Sequence, residues 1–355
     1  MASRSVTIQE VAALAGTSTS TVSNLLNGRI ERMRPETKQR IEVAMEQLGY
    51  QANQAARQLK TGQAPILGLV IPSVANPFWG SFVQSVEESA LERGYQVLLG
   101  NGGRDPKREQ RYAESLWSHG VRGVIFGSSP LSLDHILRLV DRGLNVVVFD
   151  RRLRDDDASS GSRIDGISVD NVAGGSLATK HLLDLGHRRI GFISGPLRTS
   201  SRLERFDGYR NALIEAGVRF DPDLFWEGAG YSGTGDVEGA EIGRDGAKAL
   251  LSMDRRPTGL VTINDMYALG AYAGASDVGL RVPQDVSIIG FDDISMAAIA
   301  NPPLTTIRQP LQSMMKTAVN TLIDRLEGSN AERAQMVTVP TELVVRKSTS
   351  PPEGP

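Results

Sequence analysis

Cysteine is absent from all 355 residues, which removes disulfides, thiolate catalysis and cysteine metal sites together. Long apolar runs are missing as well. No stretch reaches the roughly 18 residues of a membrane span, and the opening MASRSVTIQEVAAL lacks the apolar core of a secretory leader. The expectation is a cytoplasmic protein with no membrane partner. Neither a Gly-x-Ser-x-Gly elbow nor a His-Glu-x-x-His pair occurs, so serine hydrolases and zinc proteases lack their marks. Gly228 to Gly233, GAGYSG, matches the spacing of a dinucleotide loop, but the following TGDVEGAEIGRDGA offers no immediate apolar helix. His181 and His187 read as structural, and Asp155 to Asp157 as a solvated charge run. No enzyme, no cofactor and no metal are expected.

Charge shows no overall excess, with 39 basic against 41 acidic side chains, yet its distribution is uneven. Residues 1 to 62 carry eight basic and five acidic groups, so a small basic head precedes a large acidic body. Such an asymmetry points to a polyanion partner for the head alone.

The head reads as three short helices. Thr7 followed by Glu10 forms a capping box ahead of the apolar positions Val11, Leu14 and Ala15. Ser18 can cap a second helix with Val22, Leu25 and Leu26 inward. Pro35 opens a third, whose stripe is Ile41, Ala44, Met45 and Leu48. From Ile66 onward apolar strands (ILGLVIP, YQVLLG, GVIFGS, NVVVFDR, then ISVD, IGFISG, GLVTIN, VSIIGFDD) alternate with helices. Alternation in two similar sets implies two α/β lobes with parallel sheets. The expected domains are 1–62, a headpiece and hinge; 63–348, a two-lobed core; and 349–355, a disordered tail.

The second helix is rich in residues that disfavour helix interiors: Ser18, Thr19, Ser20, Thr21 and Ser23, then Asn24. With Val22, Leu25 and Leu26 inward, its other face is short, flat and polar. A helix with such a face can lie close to base edges in the major groove of DNA, and its low propensity is tolerated when packing holds it. In the linker NQAARQL, Leu59 stands beside Arg57 and Lys60, which suits a leucine wedged into a minor-groove step while the cations meet phosphate.

VTIQEVAALAGTSTSTVSNLLNG, LGY and NQAARQL closely resemble the headpiece and hinge of the LacI/GalR family of bacterial transcription regulators. The likeness continues through NPFW, LGHRRIGFISGP, RFDGY, PTGLVTINDMYALGA, VPQDVSIIGFDDI and LTTIRQP. It implies a small all-α helix-turn-helix headpiece with a hinge helix, then a two-lobed α/β core like that of periplasmic binding proteins. It also implies a homodimer on a pseudo-palindromic double-stranded operator, a repressor of a catabolic operon, and a small sugar-type effector between the lobes. The DNA-contacting set is then Thr7, Ser18, Thr19, Ser20, Thr21, Ser23, Asn24, Asn27, Asn53, Ala56, Arg57 and Leu59. Asn24 stands where many members carry arginine, Ala52 replaces the usual proline before the hinge, and Arg34 the usual capping serine or threonine.

Open α/β sheets bind ligands beyond the carboxyl ends of their strands. Those ends hold Asn76, Phe78 and Trp79, then Asp150, Asp170, Ser201, Arg205, Asn264 and Asp292. Carboxylates, an amide and an arginine beside aromatics suit a polyhydroxylated ligand, since each hydroxyl both donates and accepts. The resemblance adds weight to Arg205, Ser201, Asn264 and Asp292 and suggests Tyr231 as an aromatic effector contact. The rival readings are a solute-binding protein with a similar core and a nicotinamide-dependent oxidoreductase. The missing leader and basic head oppose the first, and the missing phosphate loop opposes the second.

Overall fold

The computed structural model describes residues 6–26, 33–50, 65–129, 131–150, 164–228, 231, 239–328 and 334–353. The chain divides into two compact units, Met1–Ala64 and Pro65–Pro355.

In the first unit α1 (Ile8–Leu14) begins with the expected capping box: Glu10 N donates to Thr7 Oγ1 at 3.3 Å, and Thr7 N to Glu10 Oε2 at 2.7 Å. The second helix, α2 (Thr19–Leu26), is capped by Ser18, whose Oγ accepts from Thr21 N at 3.1 Å. Arg34 precedes α3 (Pro35–Leu48) without any side-chain cap, so Pro35 alone presets the first turn. Val11, Ala15, Val22, Ile41 and Ala44 form the core. Leu14 does not join them; it is 51% exposed, because Val11, Ala12 and Ala15 already fill the inward face of so short a helix. Thr7→Ala should cost about 1 kcal/mol of headpiece stability by orphaning the Glu10 amide, read as a lower-melting headpiece transition in calorimetry of the full chain.

The second unit holds two six-stranded sheets. Lobe one is built in order from β1 (Ile66–Ile71), α4 (Pro77–Glu92), β2 (Gln96–Asn101), α5 (Pro106–Ser118), β3 (Gly123–Phe126), α6 (Asp134–Asp141), β4 (Asn145–Phe149) and β5 (Ile164–Val169). Lobe two follows with α7 (Asn171–Asp184), β6 (Ile190–Ile193), α8 (Ser200–Glu215), β7 (Phe225–Trp226), α9 (Gly239–Leu251), β8 (Gly259–Thr262), α10 (Asp265–Asp277), β9 (Ser287–Asp292), α11 (Ser295–Ile299) and β10 (Thr305–Arg308). The chain then returns. The long helix α12 (Leu311–Leu326) and β11 (Met336–Val339) complete lobe one, and β12 (Glu342–Val344) pairs antiparallel with β10 in lobe two. Among the described residues every other strand pairing is parallel. The strands β3 and β8 are buried at each position, as expected of parallel strands covered on both faces.

Two expectations need correcting. The segment after GAGYSG does contain a helix, α9, with Ile242, Gly243, Gly246, Ala247 and Leu250 buried. Its glycines mark close packing: a Cβ on Gly243 would lie 2.1 Å from the Tyr267 carbonyl oxygen on α10. The tail is also anchored further than expected. Ser350 N donates to Ser287 Oγ at 3.0 Å, and His187 Nε2 lies 2.9 Å from the Ser350 carbonyl. His181 Nε2 meets Thr349 Oγ1 at 2.9 Å, so both histidines are structural, and burial lowers the pKa of each.

Candidate functional site

On α2 the packing of Val22, fully buried, turns the hydroxyl and amide residues outward. Ser18, Thr19, Ser20 and Asn24 are exposed, while Thr21 and Ser23 are half-buried. Thr21 Oγ1 also meets Ser18 Oγ at 2.8 Å, so these two hydroxyls tighten the helix start. Thr7 spends its side chain in the capping box of α1. Asn27, Asn53, Ala56, Arg57 and Leu59 lie outside the described residues.

In the core, the carboxyl ends of the parallel strands from both lobes face one cleft. Asn76, Phe78 and Trp79 come from the start of α4, Asp150 from the end of β4, Ser201 and Arg205 from α8, Asn264 from the end of β8 and Asp292 from the end of β9. The cavity volume is about 30 Å³, room for roughly two or three water molecules and far less than a sugar ring needs.

Arg205 occupies the centre and is 8% exposed. Its Nε donates to Asn171 Oδ1 at 2.8 Å and its Nη1 to the Ile263 carbonyl at 2.9 Å. Asp150 of lobe one lies 3.7 Å from Nη2, Asp292 of lobe two 3.6 Å from Nη1. The guanidinium also stacks 3.6 Å above the centroid of the Phe291 ring, a placement that planar arginine favours. Asn171 Nδ2 donates to Asp150 Oδ1 at 2.6 Å. Ser129 Oγ donates its proton to the Asp150 carbonyl at 2.6 Å and lies within hydrogen-bond distance, 3.2 Å, of the Ser201 hydroxyl. The lobes are thus tied by polar bonds that a ligand's hydroxyls can replace.

Left-handed backbone at residues other than glycine occurs, among the described residues, at Arg104, Ser129, Asp150, Asp292 and Asp293. The first four line the cleft. Each such conformation costs about 1–3 kcal/mol and persists where surrounding structure enforces it. Here it turns the strand ends so that their side chains converge.

Asp170 and Tyr231 are not among the residues that line the cleft. Asp170 instead caps α7, accepting from Ala173 N at 3.0 Å, and the Tyr231 hydroxyl donates to Asp245 at 2.7 Å. A strand-end aspartate beside a helix start is readily captured as a cap. Arg104, Ser129 and Arg202 line the cleft and were missed, although Arg104 and Ser129 also follow strand ends and the same rule could have found them. Asp265, next to Asn264, is fully buried beneath the cleft. It accepts from Thr306 Oγ1 at 2.5 Å and Ile294 N at 2.9 Å. Burial, then the charge of Asp292, holds its pKa well above the usual carboxylate range. Its part is a strut between α10, α11 and β10.

Among the described residues no helix is long and apolar enough to cross a membrane. Residues 7–53 match the family model described as bacterial regulatory proteins, lacI family, and residues 179–349 match a periplasmic binding protein-like domain. The chain is 35% identical to the ribose operon repressor of Haemophilus influenzae over 344 residues, which covers 96% of this chain and 98% of that one. It is 34% identical to the HTH-type transcriptional repressor PurR of Aliivibrio salmonicida over the same length and shares. Among solved structures it is similar to the lac repressor dimer bound to operator and the anti-inducer ONPF, with a TM-score of 0.80 and 27% identity over 98% of this chain and 100% of that one.

Proposed function

The chain belongs to the LacI family of bacterial regulatory proteins, a DNA-binding transcription regulator with an effector-binding core, and from that premise we propose how its residues divide the work. Thr19, Ser20 and Asn24 read base edges, with Ser18 and the start of α2 against phosphate. The hinge residues around Leu59 enter the minor groove. A sugar occupies the cleft, its hydroxyls shared among Asp150, Asn264, Arg205 and Asp292. The protein represses in the cytoplasm, without catalysing a reaction. The observation that carries this reading is the outward hydroxyl and amide face of α2 over the buried Val22.

The mechanism follows from the closed cleft. With about 30 Å³ free, a sugar enters only when the lobes part or Arg205 moves. Parting them breaks the Ser129 to Ser201 bond and lengthens the Asp150 to Arg205 approach. An effector therefore favours a lobe arrangement different from this one, and a differential affinity worth about 1–3 kcal/mol suffices for allosteric control. Dimerisation uses the open edge of β2, where Leu98 and Leu99 are 44% and 46% exposed. Such an apolar edge is an aggregation hazard unless a partner covers it.

The test is fluorescence anisotropy of a palindromic site from the protein's own promoter region, titrated with a sugar panel. Nanomolar binding that a sugar reverses is expected; indifference to the palindrome would refute the assignment. Asn24→Arg should move base preference at one symmetric operator position from adenine towards guanine, by about 1–3 kcal/mol. Selection from a randomised operator returning an unchanged consensus would remove Asn24 from the reading face.

A further inference from the structure

The lining of the cleft is uneven in charge. It holds three guanidinium groups, those of Arg104, Arg202 and Arg205, against two carboxylates, Asp150 and Asp292. Both carboxylates flank Arg205, at 3.7 and 3.6 Å, and each also accepts from an amide: Asn171 Nδ2 meets Asp150 at 2.6 Å, and Gln309 Nε2 meets Asp292 at 2.7 Å. With one cation between two carboxylates, that part of the cleft suits sugar hydroxyls, which donate to carboxylate oxygens.

The other part is built around Ser128 and Ser129. From lobe one, Arg104 donates through Nη1 to the Ser128 carbonyl. From lobe two, the start of α8 is fastened to Ser129, whose carbonyl accepts from Ser200 N and whose Oγ accepts from Ser201 N, both at 3.3 Å. Arg202 follows directly and is 5% exposed. It shares a face of α8 with Arg205 and stands one turn nearer the helix start, its Nη1 donating to the Pro196 carbonyl at 3.0 Å. A carbonyl holds a guanidinium in place without cancelling its charge, and the positive end of the α8 dipole adds the same sign. Arg104 also stands at a φ of 52°, directly after Gly103 at 64°. Glycine takes such backbone without steric cost, whereas an arginine there costs about 1–2 kcal/mol, and strain of this kind collects at ligand clamps.

We propose that the arginine end of the cleft receives an anionic group, so that the effector is a sugar bearing a carboxylate or a phosphate, with its hydroxyls directed to Asp150 and Asp292. The guanidinium fork matches the oxygens of either anion. The proposal deepens the sugar reading of the cleft given above and rests on it.

Calorimetry of the full chain tests it with matched ligands: glucose, glucuronate and glucose 6-phosphate; galactose, galacturonate and galactose 6-phosphate; ribose and ribose 5-phosphate. At least one anionic sugar is expected to bind about tenfold or more tightly than its neutral parent, and whether the acids or the phosphates show the gain identifies the group. Arg202→Gln, and Arg104→Gly, which keeps the left-handed turn, should each reduce that preference to about threefold or less, while Arg202→Lys retains part of it. Neutral sugars binding as tightly as every anionic counterpart, or a preference unchanged in both Arg202→Gln and Arg104→Gly, overturns the anion site and leaves the sugar reading standing. Binding by none of the eight overturns both.

Discussion

Arg205→Ala is expected to abolish the effector response and to lower the unfolding free energy of the core by about 3 kcal/mol. The guanidinium bonds Asn171 and Ile263 and lies between the carboxylates of Asp150 and Asp292. Truncation leaves two buried carboxylates facing each other without their cation, and that orphaning, more than the lost pairs themselves, makes the cost large. Water can enter beside a cleft, which keeps the figure at the low end of the range for buried pairs. A core with an ordinary stability of about 5–15 kcal/mol remains folded. Operator affinity without effector should therefore stay within a few-fold of wild type, because α2 lies in the other compact unit. Arg205→Lys separates charge from shape: it keeps the cation but loses the planar fork and the stacking on Phe291. It should recover much of the melting temperature and little of the effector response. An alanine variant released from operator at wild-type effector concentrations would exclude Arg205 from ligand recognition.

The second large effect involves a residue that touches no ligand. A Cβ added at Gly175 on α7 would lie 2.2 Å from the carbonyl oxygen of Arg205 on α8, and one at Gly208 on α8 would lie 2.1 Å from the Val172 carbonyl oxygen on α7. The two helices approach each other through these glycines. Because the obstacle is backbone and not the end of a flexible side chain, Gly175→Ala must push α8 outward. The expected loss is about 3 kcal/mol, the upper end for overpacking. The same shift carries Arg205 away from Asn171 and Asp150, so the variant should weaken effector binding as well as lower the melting temperature. Gly80→Ala provides the contrast. Gly80 lies within α4 with nothing inside 4 Å of the added methyl, so alanine there should raise stability by up to about 1 kcal/mol. Equal melting temperatures for the two variants would overturn the close-approach argument.

Much of this architecture was legible before any coordinates. The capping box at Thr7 and Glu10, the inward Val22 and the apolar strands depend on interactions within a few residues, and local sequence specifies those directly. The strand-end rule likewise located Asn76, Phe78, Trp79, Asp150, Ser201, Arg205, Asn264 and Asp292 around the cleft, since a parallel sheet presents its carboxyl ends on one side.

Other features depended on distant chain. The glycines of α9 look like loop residues until Tyr267 of α10 is seen against Gly243. Nothing near Asp170 in sequence says whether it reaches the cleft or caps α7, because the two geometries differ only in how α7 leaves β5. The cleft itself needs the strand ends of both lobes brought together, from positions as far apart along the chain as Asn76 and Asp292. Local patterning determined which elements form and which face each buries. Only the folded chain decided which strand ends meet, because that choice rests on side-chain volumes and backbone contacts between segments that have no fixed relation along the sequence.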